Sequence, residues 1–283
     1  MKKLITLLFC GFYINTAIGQ VVVPKSSPLT KTTQSVGVSQ VSIEYSRPQL
    51  RGRVIFPDVV PYDKMWRTGA NENTIITFDS NVIIDNTEIE KGSYALYAIP
   101  TEKNWEVILY SDTSNWGLPK KWNEDLVALK TVSSVDKLNI PVNTFTIEIK
   151  DLKSSGANIA ISWQNTSITI PFEVPTDKLV MESINNTING KPTKEDYIRA
   201  AVYYFENDKD IKSAAKWIDK GMKIDKKNNS YWDLYSQAKI HAKSGNLKKA
   251  KKYGEKSLEI AIEEGNLEYV GAIETSLEEW NAN

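Results

Sequence analysis

Cysteine and histidine are almost absent from this chain of 283 residues, which has one of each, Cys10 and His241. One cysteine cannot close an internal disulfide, and one histidine cannot supply a zinc cluster or catalysis that draws on several histidines. Positive charge is not in excess either, because 35 Lys and Arg residues balance 35 Asp and Glu residues. Nucleic-acid-binding proteins normally carry a net basic charge. We therefore predict no nucleic-acid partner and no zinc cluster, and the sequence assigns no other metal, no cofactor and no catalytic residue.

Long hydrophobic runs are also missing. No stretch of the sequence approaches the roughly 20 apolar residues of a membrane-spanning helix, so we predict no transmembrane segment. The remaining composition is that of a folded globular protein, with 41% apolar, 25% charged and 10% aromatic residues. A chain of this length favours two domains over one.

The first 19 residues have the pattern of a secretory signal peptide. Lys2-Lys3 is a short positive region, Leu4–Ile14 is an apolar run, and Ala17-Ile18-Gly19 offers small residues at the cleavage positions. Cleavage would fall before Gln20. We expect an exported protein, periplasmic or extracellular once the signal is removed.

A β-domain is predicted over residues 20–184. From Val36 to about Val174 the apolar residues recur at every second position, as they do over 41–45, and turn signals separate the runs. Period two indicates half-buried strands joined by hairpins, and eight or nine short strands favour an antiparallel β-sandwich or barrel. Asp112–Val132 breaks the pattern and is expected to be a long loop with a short helix.

The composition changes to Lys, Glu, Ala and Asn after residue 184, and the apolar period becomes helical. We predict a linker over 185–192 and a helical domain over 193–283. Thr193 is the expected N-cap of its first helix, with Asp196 as the capping-box partner.

An internal repeat runs through the helical domain at an offset of 36 residues. Ile211–Ala214 aligns with Leu247–Ala250, and Lys216–Ile224 aligns with Lys252–Ile260. The pattern resembles the tetratricopeptide repeat, although Gly254 stands where that repeat has a large apolar residue. The resemblance implies two degenerate helix pairs closed by a terminal helix over Leu267–Trp280.

The sequence is compatible with two roles for these helices. Repeat helices often bind a protein or peptide partner, and they also serve as purely structural appendages. The basic run Lys248–Lys252 favours a solvated face, because acidic residues lie nearby and balance it.

One segment between two predicted strands carries the most unusual chemistry. Arginines, aromatic residues and carboxylates crowd into Tyr45–Arg53 and Pro61–Glu72, and the prolines and glycines there interrupt the strand pattern. Arginine suits bidentate recognition of a carboxylate, phosphate or sulfate, with Trp66 or Tyr62 as a stacking surface for an anionic or sugar ligand. The candidate ligand-binding residues are Arg47, Arg53, Tyr62, Trp66, Arg67, Asn71 and Glu72.

A structural alternative explains the same segment. Arg47 or Arg67 could pair with a carboxylate in a buried network that pins the loops, with Trp66 as its apolar lid. The candidate partners are Glu44, Asp58 and Glu72.

The motifs of this region resemble a known family. Tyr45-Ser46-Arg47-Pro48, Trp66-Arg67-Thr68-Gly69-Ala70-Asn71-Glu72 and Gly92–Pro100 look like those of secreted bacterial proteins known as domain of unknown function 2911. The resemblance covers roughly Ser26–Pro175. It implies a β-rich exported domain, often followed by tetratricopeptide-like helices, and it assigns no activity and no catalytic residue.

We expect a binding or scaffold protein of the envelope rather than an enzyme. The alternative is a carbohydrate-active hydrolase, which needs only two carboxylates, and Glu44, Asp58 and Glu72 are its candidates, with Trp66 as a sugar platform. A further hypothesis places Trp116 and Trp122 in the wall of a ligand pocket beside the arginines.

Overall fold

The computed structural model describes residues 23–282, which divide into two compact units, the second of them beginning at Pro175. The predicted signal peptide lies outside the described residues.

The first unit consists of two antiparallel sheets, as expected for a mainly β domain. One sheet has six strands in the order β1-β2-β3-β6-β7-β8, and the other has four in the order β5-β4-β10-β9. The strands are β1 Leu29–Val36, β2 Ser39–Ser46, β3 Ile75–Phe78, β4 Val82–Ile84, β5 Thr87–Ile89, β6 Gly92–Pro100, β7 Asn104–Tyr110, β8 Val127–Ser134, β9 Asp136–Lys153 and β10 Gly156–Glu173.

The core of this unit lies between the two sheets and follows from the alternation. In β2, Val41, Ile43 and Tyr45 are buried, and they pack with residues of β9 and β10 in one hydrophobic cluster. Tyr45 also joins the sheets by hydrogen bonds, because its hydroxyl donates to the Ile147 carbonyl (3.0 Å) and accepts from the Ile147 N–H (2.8 Å). Burial raises the pKa of Tyr45, which keeps this hydroxyl protonated and able to donate.

The opposite face of β6 and β7 is covered by the loop that follows β7. Tyr97 and Tyr110 are buried there, and Trp122 stacks on Tyr110 at 4.5 Å between ring centroids. The loop contains a 3-10 turn at Glu124–Leu126, so the predicted loop with a short helix is confirmed. Its predicted end at Val132 is wrong, because β8 begins at Val127 and pairs with β7.

The second unit is helical, as predicted. Its helices are α1 Thr176–Ile188, α2 Lys194–Glu206, α3 Ile211–Ile224, α4 Tyr231–Lys243, α5 Leu247–Glu263 and α6 Leu267–Ala282. The starts of α3 and α5 reproduce the sequence offset of 36 residues. Thr193 caps α2 with a complete capping box to Asp196.

The expected boundary at residue 184 and the expected linker 185–192 differ from the structure, because helix α1 covers 176–188. The spacing of Val180, Ile184 and Ile188 places them on one face of this helix, and they pack in the helical core. The polar residues Asn185 and Asn186 interrupt the apolar pattern in the sequence, although they lie within the helix.

Gly254, the departure from the repeat pattern, lets α6 approach α5. A β-carbon at this position would lie 2.8 Å from Leu277 Cδ2 and 3.0 Å from Trp280 Cζ3. A large side chain there would push the terminal helix away, so the glycine belongs to the packing of this particular helix pair.

One carboxylate connects three helices of the second unit. Asp219 of α3 accepts hydrogen bonds from His241 Nε2 (2.8 Å) and Gln237 Nε2 (2.7 Å) of α4 and from Lys249 Nζ of α5 (2.6 Å). Burial alone would raise the pKa of Asp219, but the hydrogen bonds from His241, Lys249 and Gln237 outweigh it and hold that pKa well below its usual range. The carboxylate therefore acts as an ionised crosslink among the helices.

We predict that Asp219→Ala lowers the free energy of unfolding of the helical unit by about 3 kcal/mol, because it strands three buried or half-buried donors. The stability that ionised Asp219 contributes is fully present above pH 3.8, the ordinary pKa of this carboxyl. It is lost as the pH falls through the lower pKa that Asp219 has in the folded protein. Far-UV circular dichroism during denaturation, repeated at falling pH, measures both effects. Asp208→Ala, which removes an exposed pair with Lys243, is the control and should change little. Equal effects of the two variants would contradict the crosslink.

Candidate functional site

The arginines of this protein are concentrated in one segment. Four of the five in the chain lie between residues 47 and 67, while lysine supplies most of the positive charge elsewhere. We call residues 47–74, which connect β2 to β3, the arginine segment. Arginine and lysine differ in that the planar guanidinium can hold an oxyanion by two parallel hydrogen bonds. The concentration of arginine therefore suggests a local chemical role.

Turns in left-handed backbone conformations shape the arginine segment. Besides its glycines, it places several residues at positive φ, and these are Arg51, Asp63, Thr68 and Asn71. Thr68 is notable because a β-branched residue at φ 47° is strained, yet its side chain is fully buried. Strain of this kind persists only where surrounding contacts enforce it, and such positions cluster at functional sites.

Backbone and side-chain hydrogen bonds enforce this conformation. Trp66 exchanges two backbone hydrogen bonds with Ala98 of β6, at 2.7 and 2.9 Å. Thr74 Oγ1 donates to the Thr68 carbonyl (2.6 Å), and Trp66 Nε1 donates to the Gly69 carbonyl (3.3 Å). The turn at 66–74 is thus fixed at both ends.

We predict that Gly69→Ala destabilises the β unit by about 2–3 kcal/mol, because it combines an unfavourable φ with a clash. Gly69 has φ +153°, and a β-carbon would lie 2.8 Å from Thr74 Oγ1, which holds the turn. Gly52→Ala is the matched control, since φ is +73° there but no atom lies within 4 Å of the added carbon. We expect the control to cost about 1 kcal/mol in chemical denaturation. Equal costs would show that the contact with Thr74 is unimportant.

The arginine segment forms the wall of a cavity of about 550 Å³, which we call the arginine cavity. Three arginines line it, and none of its lining residues is Asp or Glu. The lining residues are Ser26, Ser27, Pro48, Gln49, Arg51, Arg53, Val59, Val60, Trp66, Arg67, Gly69, Ala70, Asn71 and Trp163. Its volume lies in the range typical of small-molecule sites.

Main-chain carbonyls hold each guanidinium of the cavity. Arg53 donates to the carbonyls of Gln49 (2.7 Å) and Leu50 (3.1 Å). Arg51 Nη2 donates to the Ser26 carbonyl at 3.0 Å, and Arg67 Nη1 donates to the Asn71 carbonyl at 2.6 Å. Because a guanidinium has several N–H donors, these contacts orient each group and leave donors over.

The rest of the cavity wall is largely apolar. Trp66 is half-buried and lies nearly parallel to Trp163, at 6.1 Å between ring centroids and an interplanar angle of 17°. Phe145 and Trp105 pack against Trp66 in T-shaped arrangements, at 5.3 and 5.8 Å between ring centroids. Trp66 is therefore a rigid wall held by other aromatic rings rather than a free stacking surface.

The structure brings together four of the seven predicted ligand-binding residues, Arg53, Trp66, Arg67 and Asn71, in the arginine cavity. The other three lie elsewhere. Arg47 reaches the second sheet, where it donates to the Phe145 carbonyl (3.1 Å) and Thr146 Oγ1 (2.9 Å). Tyr62 stacks on Phe56, and Glu72 is exposed to solvent.

Sequence reasoning missed several cavity residues. Arg51 belongs to the same arginine-rich motif and could have been included on that ground. Nothing in the sequence around Ser26 and Ser27 indicates a ligand site. Trp163 has the spacing of any inward-facing residue of strand β10. Their placement depends on contacts between residues far apart in the sequence.

The predicted buried ion-pair network is not formed among residues 23–282. Glu44 pairs instead with Lys31 on the neighbouring strand at 3.3 Å, with 64% of the Lys31 side chain and 40% of the Glu44 side chain exposed. Asp58 and Glu72 are exposed. The hypothesis that arginine–carboxylate pairs pin these loops is therefore wrong, because main-chain carbonyls take that role.

The predicted contribution of Trp116 and Trp122 to a ligand pocket is also wrong. Trp122 packs on Tyr97 and Tyr110, and the side chain of Trp116 is 67% exposed. It is Gly117 of this loop that approaches the site, because a β-carbon there would lie 2.9 Å from Arg67 Nη1. Tyr97 holds the loop by donating to the Gly117 carbonyl (3.1 Å), and burial raises the pKa of Tyr97 to about 12.

Comparison with known proteins assigns the β unit to a family. The family model described as protein of unknown function (DUF2911) matches residues 27–172, more than half of the chain, and the protein belongs to that family. No curated protein and no solved structure matches the chain. The match ends before the helical unit, so the likeness of those helices to tetratricopeptide repeats stays a prediction.

The described part of the chain offers neither a metal site nor a membrane span. Residues 23–282 contain no group of three or more His, Cys, Asp or Glu side chains placed to hold a metal ion. None of the helices over those residues combines the length and apolar character needed to cross a membrane.

Proposed function

We propose that this protein is an exported binding protein whose β unit takes an anionic ligand in the arginine cavity. The observation that supports this is one of charge: three arginines line the cavity and no carboxylate does. The half-buried Arg67 would be expected to pair with an acidic group if it served only folding, since desolvated charge is costly when unpaired, and no such group lines the cavity. The cavity instead leaves positive charge directed at an open space.

The way in which the arginines are held supports the same proposal. Long cationic side chains lose rotamer freedom when they bind a ligand, and this loss weakens affinity. Hydrogen bonds to main-chain carbonyls restrain Arg51, Arg53 and Arg67 before any ligand arrives. The ligand then meets groups that are already oriented, and the chemistry suits a carboxylate, a phosphate or a sulfate.

The helical unit would supply a second binding function, to a protein or peptide. Its packed helices expose Trp232 (49%), and tryptophan is enriched at protein interfaces relative to the rest of the protein surface. In this proposal the protein is a scaffold of the envelope, with a small-ligand site in one unit and a protein-binding surface in the other.

The geometry gives no support to a carbohydrate hydrolase. Its candidate carboxylates, Glu44, Asp58 and Glu72, are absent from the lining of the arginine cavity, and Glu44 is paired with Lys31. A glycosidase needs two carboxylates facing the same bond. We therefore favour binding over hydrolysis at this site.

We expect phosphate or sulfate to shift the side-chain Nε–Hε NMR signals of Arg51, Arg53 and Arg67 in the full-length mature protein. The five arginines of the chain make this spectrum simple, and Arg47 and Arg199 serve as internal controls. Arg47 bonds to the second sheet and Arg199 lies exposed on α2, so their signals should stay in place at constant ionic strength.

Variants sharpen this test. Arg67→Gln should weaken the affinity for phosphate by about tenfold, the equivalent of one charge-assisted hydrogen bond, while Arg199→Gln should have no effect. Equal shifts of all five arginine signals, or none, would refute the proposal.

A further inference from the structure

The three cavity arginines lie at two different levels of exposure. Arg67 is half-buried, between the Asn71 carbonyl and the backbone of Gly117, whereas Arg51 and Arg53 are exposed. Positive charge is thus available both inside the cavity and where it opens to solvent. A single small anion at Arg67 would leave Arg51 and Arg53 without a counter-charge.

We call Ser26-Ser27 the N-terminal strap. Its hydrogen bonds fix the exposed Arg51 relative to the half-buried Arg67. The Ser26 carbonyl accepts a hydrogen bond from Arg51, and the Ser27 carbonyl accepts one from Asn71 Nδ2 (3.3 Å). The Asn71 carbonyl in turn accepts from Arg67. Arg51 and Arg67 are therefore tied through consecutive residues of one strap and form parts of one built site.

The size and the wall of the cavity define the rest of the ligand. A volume of about 550 Å³ is far larger than an inorganic anion would fill, and it leaves room for an organic body. Half of the fourteen lining residues are apolar, among them Val59, Val60 and Trp66. An apolar body would displace water from this wall, which favours binding.

We infer that the ligand of the arginine cavity carries at least two anionic groups on one compact apolar body, with one group at Arg67 and another at Arg51 and Arg53. This inference rests on the proposed anion-binding function and narrows it to a class of organic polyanion. Three like charges in one cavity repel one another, and a ligand with two or more negative charges relieves more of this repulsion than a monoanion does. Carboxylates and phosphate esters share the required chemistry.

Isothermal titration calorimetry of the mature full-length protein with matched probes tests the inference. Benzoate and isophthalate share a ring and differ by one carboxylate, and phenyl phosphate extends the comparison to a phosphate ester. At constant ionic strength we expect isophthalate to bind about tenfold more tightly than benzoate, the equivalent of one additional charge-assisted contact. Tighter binding of phenyl phosphate than of benzoate would identify phosphate esters as the source of the charge, whereas tighter binding of phenyl phosphate than of isophthalate would show that one anionic group suffices and would overturn the inference.

The variants assign the two groups. Arg51→Gln should remove the advantage of isophthalate over benzoate and leave benzoate affinity within about twofold, whereas Arg67→Gln should weaken both probes by about tenfold. Arg51→Lys, which keeps the charge, should retain part of the advantage, and Arg199→Gln should retain all of it. If Arg67→Gln fails to fold, the ratio of isophthalate to benzoate affinity in Arg51→Gln and in Arg51→Lys tests the inference. It should be near one in Arg51→Gln and higher in Arg51→Lys.

The failures of the two proposals can be told apart. Equal affinity of wild-type protein for benzoate and isophthalate, while phosphate still shifts the cavity arginines, would overturn the polyanion inference and leave anion binding intact. An absence of both effects would overturn the proposed function as well. An isophthalate advantage that survives in Arg51→Gln would place the second anionic group elsewhere and refute the inference.

Discussion

The pairing of β2 with β3 is the constraint on which the site depends. These strands are direct neighbours in the six-stranded sheet, with Val41 opposite Phe78 and Glu44 opposite Ile75. The chain nevertheless makes the long excursion of the arginine segment between them. Because its ends are fixed side by side, the segment has to fold back on itself, and loops of this length in compact domains are usually functional or disordered. Here bonds from Trp66 to β6 and from Arg47 to β9 keep it ordered.

Main-chain carbonyls, rather than carboxylates, satisfy the arginines of this segment, and this choice sets the character of the cavity. A carboxylate partner would neutralise each guanidinium and remove its attraction for a ligand. A carbonyl orients the same group by its dipole and leaves the full charge in place. The arginines have different roles that depend on their positions. Arg47 connects the two sheets, whereas Arg51, Arg53 and Arg67 line the cavity.

Local patterns were sufficient to predict the fold class but only part of the site. The alternation over Val41, Ile43 and Tyr45, the capping box at Thr193 and the offset between α3 and α5 each depend on residues close in sequence or on simple periodicity. The position of Trp163 beside Trp66 depends on how two sheets pack, which no local pattern encodes. The side to which Arg47 points was equally hidden, because Pro48 restricts its backbone and leaves the direction of the side chain open. Helix α1 was missed although its apolar spacing was visible.

The N-terminal strap has a practical consequence for work with this protein. Ser26 and Ser27 come before the first strand. A fragment designed to begin where regular secondary structure begins would therefore lack them. They supply part of the cavity wall and the acceptors for Arg51 and Asn71. A fragment that begins at β1 would retain both sheets and lose one side of the site. An affinity tag joined directly ahead of Ser26 would sit at the opening and compete with any molecule that enters.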